Sequence, residues 1–350
     1  MKLGVVGLGK LGLPLASLLS RHYETWGYDI NSKLTDSLCN GSYKTWEPDC
    51  DYSKVEIASD LSELVSNVDM VFLAVNTPSK PDGMMDLTPF NEAMEAIAEH
   101  GRKAPIPVVV CSTVMPGTSH LWNGGRWLTV ISNPVWIALG SVIHDLQNPP
   151  AMVIGCDCVR SQSQVTGCPH NQLQAIWYKV IGPKSITCHF TDTKTAEFIK
   201  LAHNAWCCIK MSWLGNLGDH SNELGIDISA LSRFMASGGE RPGKFWSYGP
   251  SFGGPCFPRD LNFWLKATGK IETEYVDEIG SLACGVNEGR LYRIIHQIPR
   301  GSRVFILGPS YKYGVPVIEG SVGLELARIL KSIPHWKYQV EVHNGVDESS

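Results

Sequence analysis

The amino-acid sequence predicts an α/β protein with an N-terminal parallel sheet, a central helical domain that contains a long helix, and a short C-terminal α/β unit. Up to about residue 190, nearly all-apolar runs alternate with amphipathic segments, which is typical of parallel strands covered by helices on both faces. From Thr193 to about Gly225, apolar residues recur at helical spacing with no strand pattern. After residue 298 the chain returns to a strand, a helix and a strand.

The predicted strands of the N-terminal half are short apolar runs bounded by turn residues. In order they are LGVVGLG, WGYDIN, MVFLAVNTP, PVVVCSTVMPGT, LTVISNP and AMVIG, with helices at LGLPLASLLSRHY and PFNEAMEAIAEHGRK. The long helix is followed by helical segments at DISALSRFMAS, DLNFWLKATG and EIGSLACGVNEGRLYRIIHQI. GSRVFILGPSYK, SVGLELARILKSI and KYQVEVHN then form the last strand, helix and strand. We therefore expect three domains, at residues 1–185, 186–298 and 299–350.

Composition narrows the class of protein. The formal net charge of −4 argues against a general nucleic-acid binder, which usually carries a basic excess. No apolar run reaches the roughly 18 to 20 residues that a membrane span needs. The chain has 11 cysteines and its glycine-rich start fits a strand and helix better than a secretory signal, so we expect reduced thiols in a cytoplasmic protein.

One cysteine cluster has the residue types of a metal site. Cys156, Cys158, Cys168 and His170 follow the pattern C-x-C-x9-C-x-H. This spacing is not one of the usual zinc patterns, and the stretch reads as a loop that leads into a helix. We expect surface thiols here and no bound metal.

GLGKLG, residues 7 to 12, has the pattern G-x-G-x-x-G directly after a strand and at the start of a helix. In that context the glycines permit a tight turn, and the helix N-terminus faces a pyrophosphate. Asp29 ends the next strand, where a carboxylate binds the ribose 2′-hydroxyl and repels a 2′-phosphate. The pattern predicts a Rossmann-type NAD domain, with FAD as a minor alternative.

FGGPCFPRD, residues 252 to 260, places Cys256 in a segment stiffened by glycines and prolines. The cation of Arg259 follows closely, and nearby positive charge favours the reactive thiolate. The segment fits either a positioned nucleophile or a tight turn with an inert cysteine.

With the glycine loop, VNTP, CSTVMPGT, AEFIKLAHNA and FGGPCFPRD in this order, the chain resembles the UDP-glucose/GDP-mannose dehydrogenase family over roughly residues 1 to 330. FGGPCFPRD is very close to the family's GFGGSCFPKD, and AEFIKLAHNA is close to its AELIKYAxNA. The resemblance implies oxidation of the C6 alcohol of a nucleotide sugar to a carboxylate by two NAD⁺. It also implies an NAD domain, a helical domain that forms a homodimer, and a C-terminal nucleotide-binding unit.

The resemblance also implies the catalytic roles. Cys256 would form a thiohemiacetal and then a thioester. Lys200 and Asn204, at i and i+4 of one helix, would contact the C6 oxygen. Asp260 would orient the lysine amine and a water, and Thr113 would lie near that water. Without the resemblance, Lys200 and Asn204 would pass for ordinary helix residues.

Binding residues follow from the same matches. For NAD they are Gly7, Gly9, Leu11 and Gly12 at the phosphates, Asp29 and Lys33 at the adenosine ribose, Thr77 and Thr113 along the nicotinamide half, and Arg259 in place of a family lysine. For the nucleotide sugar they are Trp136, Ile137, Lys200, Asn204, Arg241, Tyr248, Phe252, Gly253 and Lys312.

Three departures from the family pattern stand out. NPVWIALG stands where the family has NPEFLREG, so Val135 and Leu139 replace two glutamates. The first of these glutamates is the family's favoured base for thioester hydrolysis. Asp145 lies a few residues on and could compensate for its loss. The C-terminal unit is short, and Glu319 stands where the family has an arginine. After CSTVMPGT, NGGRW leads directly into LTVIS where the family has a helix.

The sequence thus predicts NAD-dependent oxidation of UDP-glucose to UDP-glucuronate by a cytoplasmic homodimer that binds neither nucleic acid nor membrane. UDP-N-acetylhexosamines and GDP-mannose stay open as substrates. One alternative is oxidation that stalls at the aldehyde or thioester because of Val135. Another is a catalytically weak nucleotide-binding protein. A simple hydroxyacid dehydrogenase would have no use for FGGPCFPRD.

Overall fold

The structure is a computed structural model. It describes residues 1–100, 106–123, 128–158, 168–184, 186–224, 227–237, 249, 252–268, 274–312, 314–333 and 336–343. The chain divides into two compact units, Met1–Lys200 and Leu201–Ser350, and the division falls within one long helix, α8 (Thr193–Leu224). The predicted division into three domains stays a prediction.

The first unit is built on one sheet, which within the described residues has eight strands in the order β3-β2-β1-β4-β5-β6-β7-β8. The strands are β1 (Lys2–Val6), β2 (Glu24–Tyr28), β3 (Val55–Ile57), β4 (Met70–Leu73), β5 (Ile106–Val110), β6 (Leu128–Ser132), β7 (Met152–Gly155) and β8 (Cys188–Thr191). All neighbours pair in parallel except β6 and β7. The predicted parallel sheet is therefore confirmed, with one antiparallel pair between β6 and β7.

Helices cover this sheet. They are α1 (Gly12–Ser20), α2 (Ser32–Cys39), α3 (Leu61–Asn67), α4 (Thr88–His100), α5 (Thr118–Trp122), α6 (Val142–Gln147) and α7 (Pro169–Ile181). The central strands are buried along their length, β4 completely, which explains their nearly all-apolar sequence. α5 is a short helix that begins after Gly117 and ends at Trp122, immediately before NGGRW, the segment predicted to lead directly into β6.

The cysteine cluster differs from its prediction. Cys156, which follows β7, and Cys168, which precedes α7, are 2% and 6% exposed. Cys158 is half-buried. The expectation of surface thiols is therefore wrong for the first two, because the end of β7 and the start of α7 pack their sulfur atoms inward.

The second unit contains most of α8, then α9 (Ile228–Ser237), α10 (Phe257–Thr268) and α11 (Glu274–Gln297). It ends with β9 (Arg303–Leu307), α12 (Val322–Lys331) and β10 (Gln339–His343), and β9 and β10 pair in parallel, as predicted. One core cluster joins α8, α10 and α11 through the buried residues Ala205, Cys208, Phe252, Leu261 and Ala283. A second cluster packs α11 on α12 through Leu291, Ile295, Ile329 and Leu330.

In the described part of the chain, no helix combines the length and the apolar character that a bilayer crossing needs.

Candidate active site

The glycine loop between β1 and α1 has the shape that a dinucleotide requires. Gly7 has φ of +89°, and a Cβ on Gly12 would overlap the Gly7 carbonyl oxygen. A Cβ on Gly9 would meet nothing within 4 Å, so open space lies in front of the loop. Leu11 caps α1 without any side-chain hydrogen bond, and in the first turn the Leu13 N–H donates to the Gly9 carbonyl at 3.1 Å. These features fit a pyrophosphate at the N-terminus of α1.

Asp29 lies against this loop, directly after β2. Its Oδ2 accepts a hydrogen bond from the Leu8 N–H at 2.7 Å, and its Oδ1 accepts one from the Asn31 N–H at 2.9 Å. The carboxylate is thus held beside the glycine loop, where the adenosine ribose was predicted. Lys33 is exposed on α2.

The predicted nicotinamide residues also meet. Thr77 follows β4 and is buried, and its hydroxyl donates to the Thr113 carbonyl at 2.7 Å. Thr113 is half-buried in the loop after β5. This bond links the loops that follow two neighbouring strands at the carboxyl edge of the sheet, which is the expected position for a ligand in such a fold.

Lys200 meets the predicted substrate segment. Its Nζ donates to the Val135 carbonyl oxygen at 2.8 Å and lies 5.1 Å from the ring centroid of Trp136. Trp136 is fixed in turn by a hydrogen bond from its Nε1 to the Ala151 carbonyl at 3.0 Å. Ile137, the next residue, is half-buried. The Val135 side chain is buried, so position 135 presents only its carbonyl oxygen to the ammonium group.

Two buried carboxylates support the loop that begins at Val135. Asp145 accepts hydrogen bonds from the Ala138 N–H at 2.8 Å and the Ser141 hydroxyl at 3.0 Å. Glu47 accepts from the Gly140 N–H at 2.9 Å and from the Val142 N–H. Asp145 is only 3% exposed, so it positions this loop and offers no exposed base. Sequence reasoning missed Glu47, since nothing local in the sequence connects it to a loop more than ninety residues away.

Glu197, on α8, supports the loop after Thr113. It is buried, and its carboxylate accepts hydrogen bonds from the Gly117 N–H at 2.5 Å and the Ser119 N–H at 2.8 Å. Burial raises the pKa of Glu197, although these backbone donors oppose the rise. Sequence reasoning also missed this residue, although it is the second residue of the AEFIKLAHNA motif, because its role depends on a contact with a distant segment.

In the second unit, Cys256 lies immediately before α10. The Asp260 N–H donates to the Cys256 carbonyl at 2.8 Å, which is the first bond of that helix. The thiol is half-buried, as a nucleophile that must meet a substrate requires. The positive end of the helix dipole lies at this terminus and favours a thiolate.

The Asp260 side chain is hydrogen-bonded to two other predicted residues. Its Oδ2 accepts from the Asn204 side-chain amide at 2.6 Å, and its Oδ1 accepts from Arg259 at 2.9 Å. Asp260 is 1% exposed and Asn204 is buried. Although burial opposes it, the charges of Asp260, Cys256 and Glu319 raise the pKa of Arg259, which keeps this guanidinium cationic beside the thiol. Arg259, expected at the cofactor, is thus paired with Asp260 in this structure.

Three hydrogen bonds join the backbone of the loop from Phe252 to Cys256 to neighbouring segments. The Asn287 side-chain amide bonds both the N–H and the carbonyl of Phe252, at 2.8 and 3.1 Å. The Gly254 N–H donates to the Gly320 carbonyl at 2.9 Å, and Gly254 has φ of +83°. A Cβ on Gly253 would overlap the same Gly320 oxygen.

An open cleft of about 680 Å³ lies beside this loop. Phe252 and Gly253 line it, together with residues of α11 and α12. Lys312 is exposed in a short bridge with Val315. Two of the predicted substrate residues, Arg241 and Tyr248, lie outside the described residues. Each unit therefore gathers its own share of the predicted site: the glycine loop, Asp29, Thr77, Thr113, Trp136 and Lys200 in the first, and Asn204, Phe252, Gly253, Cys256, Arg259 and Asp260 in the second.

Two family models match the chain. The NAD-binding domain of the UDP-glucose/GDP-mannose dehydrogenase family matches residues 1–168, and the central domain of the same family matches residues 194–311.

Curated relatives agree with these models. The UDP-glucose 6-dehydrogenase YwqF of Bacillus subtilis is 27% identical over 89% of this chain and 73% of the relative. The UDP-glucose 6-dehydrogenase of Rickettsia conorii is 28% identical over 76% of this chain, and the match spans 61% of that relative.

Solved structures give the same result. A UDP-glucose dehydrogenase of Pyrobaculum islandicum is 26% identical with a TM-score of 0.84, covering 98% of this chain and 81% of the other. A GDP-mannose dehydrogenase of Pseudomonas aeruginosa is 25% identical with a TM-score of 0.60, over 98% and 80%. This chain is thus a member of the UDP-glucose/GDP-mannose dehydrogenase family of oxidoreductases, and its N-terminal part is that family's NAD-binding domain.

Proposed function

We propose that the protein oxidises UDP-glucose to UDP-glucuronate with NAD⁺ as the oxidant. The observation that carries the proposal is Cys256 at the N-terminus of α10, half-buried and close to the buried Asp260 and Asn204 and the half-buried Arg259. A two-electron alcohol oxidation needs no such thiol, whereas an aldehyde must bond a nucleophile before it can lose a second hydride. UDP-glucose is the preferred substrate because the curated relatives and a solved neighbour carry that name.

Bound NAD⁺ supplies the hydride acceptor for both oxidations. The glycine loop and Asp29 would hold its phosphates and its adenosine ribose, since a ligand fits in front of Gly9 and the α1 N-terminus has no side-chain cap. Thr77 and Thr113 would lie along its nicotinamide half. The Asp29 carboxylate disfavours a 2′-phosphate, which supports NAD over NADP.

The chain's own groups would act in turn on the sugar C6 carbon. As the alcohol loses a hydride and a proton, the Lys200 ammonium would stabilise the negative charge that develops on oxygen. The Cys256 thiolate would then form a bond to the aldehyde carbon, and the oxygen would take a proton. Loss of a second hydride, to NAD⁺, and of the hydroxyl proton converts this thiohemiacetal to a thioester on Cys256. Water breaks the C–S bond and releases the acid and the thiol.

The hydrolysis step has a weaker basis in this sequence. Val135 cannot accept a proton, and its carbonyl oxygen is bonded to Lys200. Asp145 and Glu47 are both buried under the 138–142 loop. Loss of one general base slows a step by about 10² to 10⁴. Oxidation that stalls at the thioester is therefore a second candidate outcome, favoured by the residue at position 135.

The test is the amount of NADH formed per UDP-glucose consumed at completion, with intact-mass analysis of the protein. Two NADH per sugar and free UDP-glucuronate support the full reaction. Two NADH per sugar, with consumption that ends after about one UDP-glucose per chain and the mass of a UDP-glucuronoyl thioester on Cys256, supports the stalled reaction. One NADH per sugar with free aldehyde contradicts a role for the thiol. No NADH contradicts UDP-glucose as the substrate, and the assay is then repeated with UDP-N-acetylhexosamines and GDP-mannose.

Cys256→Ser should abolish formation of the acid, because a serine hydroxyl at neutral pH is a far weaker nucleophile than a thiolate. Cys39→Ser, which changes an exposed thiol on α2, is the matched control and should keep the wild-type stoichiometry. Equal acid formation by both variants would contradict covalent catalysis through Cys256.

We also propose a homodimer formed through α8. Trp206 and Trp213 are 49% and 47% exposed, and their spacing of seven residues places them on one face of the helix. A second copy of the chain would cover these rings. Trp213→Glu should shift the sedimentation coefficient toward that of a monomer, whereas Tyr178→Glu, a change at an exposed aromatic of α7, should not.

The cytoplasmic location stays a prediction.

A further inference from the structure

Four side chains with metal-ligating atoms converge where β7 ends and α7 begins. They are Cys156, Cys158, Cys168 and His170, and their ligand atoms all lie within 4.8 Å of one another. Among the described residues, no other group of three or more His, Cys, Asp or Glu is drawn together in this way. None of these residues has a role in the proposed reaction.

The separations suit one central ion. The Sγ atoms of Cys156 and Cys168 are 3.8 Å apart, and those of Cys158 and Cys168 are 2.9 Å apart. The Nδ1 atom of His170 lies 2.8 Å from the Cys168 sulfur and 3.2 Å from the Cys158 sulfur. Zn²⁺ binds sulfur at about 2.3 Å in a tetrahedron, so two ligating sulfurs stand about 3.8 Å apart. The set therefore has to open by only about 1 Å at its shortest edge.

The backbone brings the ligands in from two directions. Cys156 and Cys158 follow β7, and the Cys156 N–H donates to the Thr191 carbonyl of β8 at 2.7 Å. Cys168 is the N-cap of α7, and His170 lies in its first turn after a proline. At a helix N-terminus the helix dipole favours a thiolate, the form that binds metal.

Asp157 fixes the turn between the first two cysteines. Its carboxylate accepts hydrogen bonds from the Thr193 N–H and hydroxyl at 3.2 and 2.8 Å and from the Asn123 amide at 3.0 Å. It is also paired with His120 at 2.7 Å. Because Asp157 is occupied in this way, it holds Cys156 and Cys158 in place and is not itself a ligand.

We propose that Cys156, Cys158, Cys168 and His170 bind one structural Zn²⁺ ion. Three thiolates and one imidazole are among the donor sets of structural zinc sites, and soft sulfur donors select zinc over magnesium or calcium. Four protein ligands leave no open position for water or substrate, so the ion is structural and not catalytic. The sequence pattern C-x-C-x9-C-x-H falls outside the usual zinc spacings, which is why the sequence alone predicted no metal.

The ion would stabilise the edge of the sheet near the start of α8. The β7 end of the cluster is bonded to β8 through Cys156, and Asp157 is bonded to Thr193, the first residue of α8. The same helix carries Lys200 two turns later. Loss of the ion should therefore lower the melting temperature first and affect turnover only through the position of α8.

The test is the zinc content of the purified full chain, measured by inductively coupled plasma mass spectrometry. We expect about one zinc per chain in the wild type, as a closed four-ligand site implies. Cys158→Ser and His170→Ala should each reduce this ratio severalfold. Cys188→Ser, which changes a half-buried thiol on neighbouring β8, and His144→Ala, which changes an exposed imidazole, are the matched controls and should keep it.

A ligand variant that fails to fold also loses zinc, so the wild-type chain gives a second readout. Co²⁺ exchanged into the site should show the intense visible absorption of a tetrahedral thiolate complex, and a chelator should lower the melting temperature. A chain purified under reducing conditions with no zinc and no Co²⁺ spectrum would overturn the proposal. A disulfide between Cys158 and Cys168 as the native state, or a zinc content unchanged by both ligand variants, would overturn it as well.

Discussion

At the scale of single residues, Asp260 is the buried charge that follows the thiol loop, residues 252 to 256. It is 1% exposed, and both of its oxygens accept hydrogen bonds, one from Asn204 and one from Arg259. A carboxylate removed from water in this way needs such partners, because desolvation otherwise costs several kcal/mol. The same arrangement keeps a guanidinium close to Cys256.

Asp260→Asn should therefore weaken both the fold and the reaction. Removing the charge leaves Arg259 largely buried without its counter-ion, and breaking such a pair costs about 3 kcal/mol. Urea unfolding measures this loss. Arg259→Lys keeps the positive charge but loses the forked geometry of the guanidinium. Its loss in the free energy of unfolding should therefore be smaller than that of Asp260→Asn. An Asp260→Asn chain with the wild-type urea midpoint would contradict this account.

The reactivity of each cysteine thiol should decrease as its burial increases. Burial raises the pKa of Cys111 to about 12, so only about 10⁻⁴ of it is thiolate at pH 8. Cys39 is exposed. Brief treatment of the native chain with iodoacetamide should modify Cys39 and leave Cys111 unmodified, as peptide mass spectrometry would show. Equal labelling before denaturation would mean that the loop after β5 opens readily.

The site residues could be predicted only where a local motif carries them. The glycine loop and Asp29 are a pattern of fixed spacing, and Cys256 to Asp260 lie in one nine-residue segment. Glu47 and Asn287 have no such pattern, because each acts by bonding the backbone of a segment far away in the sequence. Glu197 lies within AEFIKLAHNA, but the motif does not reveal its bonds to Gly117 and Ser119.

At the scale of elements, the central strands could be predicted because they are buried on both faces and nearly all apolar. The same pattern gave no information on the direction of each strand. An all-apolar run looks the same in a parallel and an antiparallel neighbour, so the reversal between β6 and β7 left no trace in the sequence. β8 was missed because its four residues, CHFT, are exposed or half-buried and show no apolar run. β3 was missed because three residues are too few for a period.

α11 offers a direct test of helix propensity. Gly285 is exposed in this helix, and a Cβ there would meet nothing within 4 Å. Gly285→Ala should raise the free energy of unfolding by about 0.5 to 1 kcal/mol, because alanine loses less backbone entropy than glycine. Gly280→Ala is the matched control: its Cβ would come within 2.6 Å of Leu265, so it should gain less or be destabilising. Chemical denaturation compares them, and an equal gain for both would contradict the packing at Gly280.

At the scale of the whole molecule, the two compact units divide the predicted site residues between them. The match to the family covers both, through its NAD-binding domain and its central domain. Family membership could be predicted from the sequence because the motifs that define it lie in both units. Which nucleotide sugar is bound could not be predicted, because Val135 and Glu319 depart from the family pattern.

Cofactor binding should be visible in global unfolding. A ligand that binds only the folded chain stabilises it by about 2.7 kcal/mol at a concentration of 100 times its Kd. NAD⁺ should therefore raise the melting temperature in a concentration-dependent way. NADP⁺ at the same concentration should raise it much less, since Asp29 is held beside the glycine loop. An equal shift with both would show that Asp29 does not select the cofactor.

The contact between Gly253, Gly254 and Gly320 limits how this protein can change. A Cβ on Gly253 would strike the Gly320 carbonyl, and one on Gly320 would strike the backbone of Gly254. Because main chain meets main chain, no repacking of neighbouring side chains can make room. In a library of random variants, Gly253 and Gly320 should accept no other residue, and second-site suppressors should not appear. Transplanting the thiol loop into another scaffold would therefore require moving the segment around Gly320 with it.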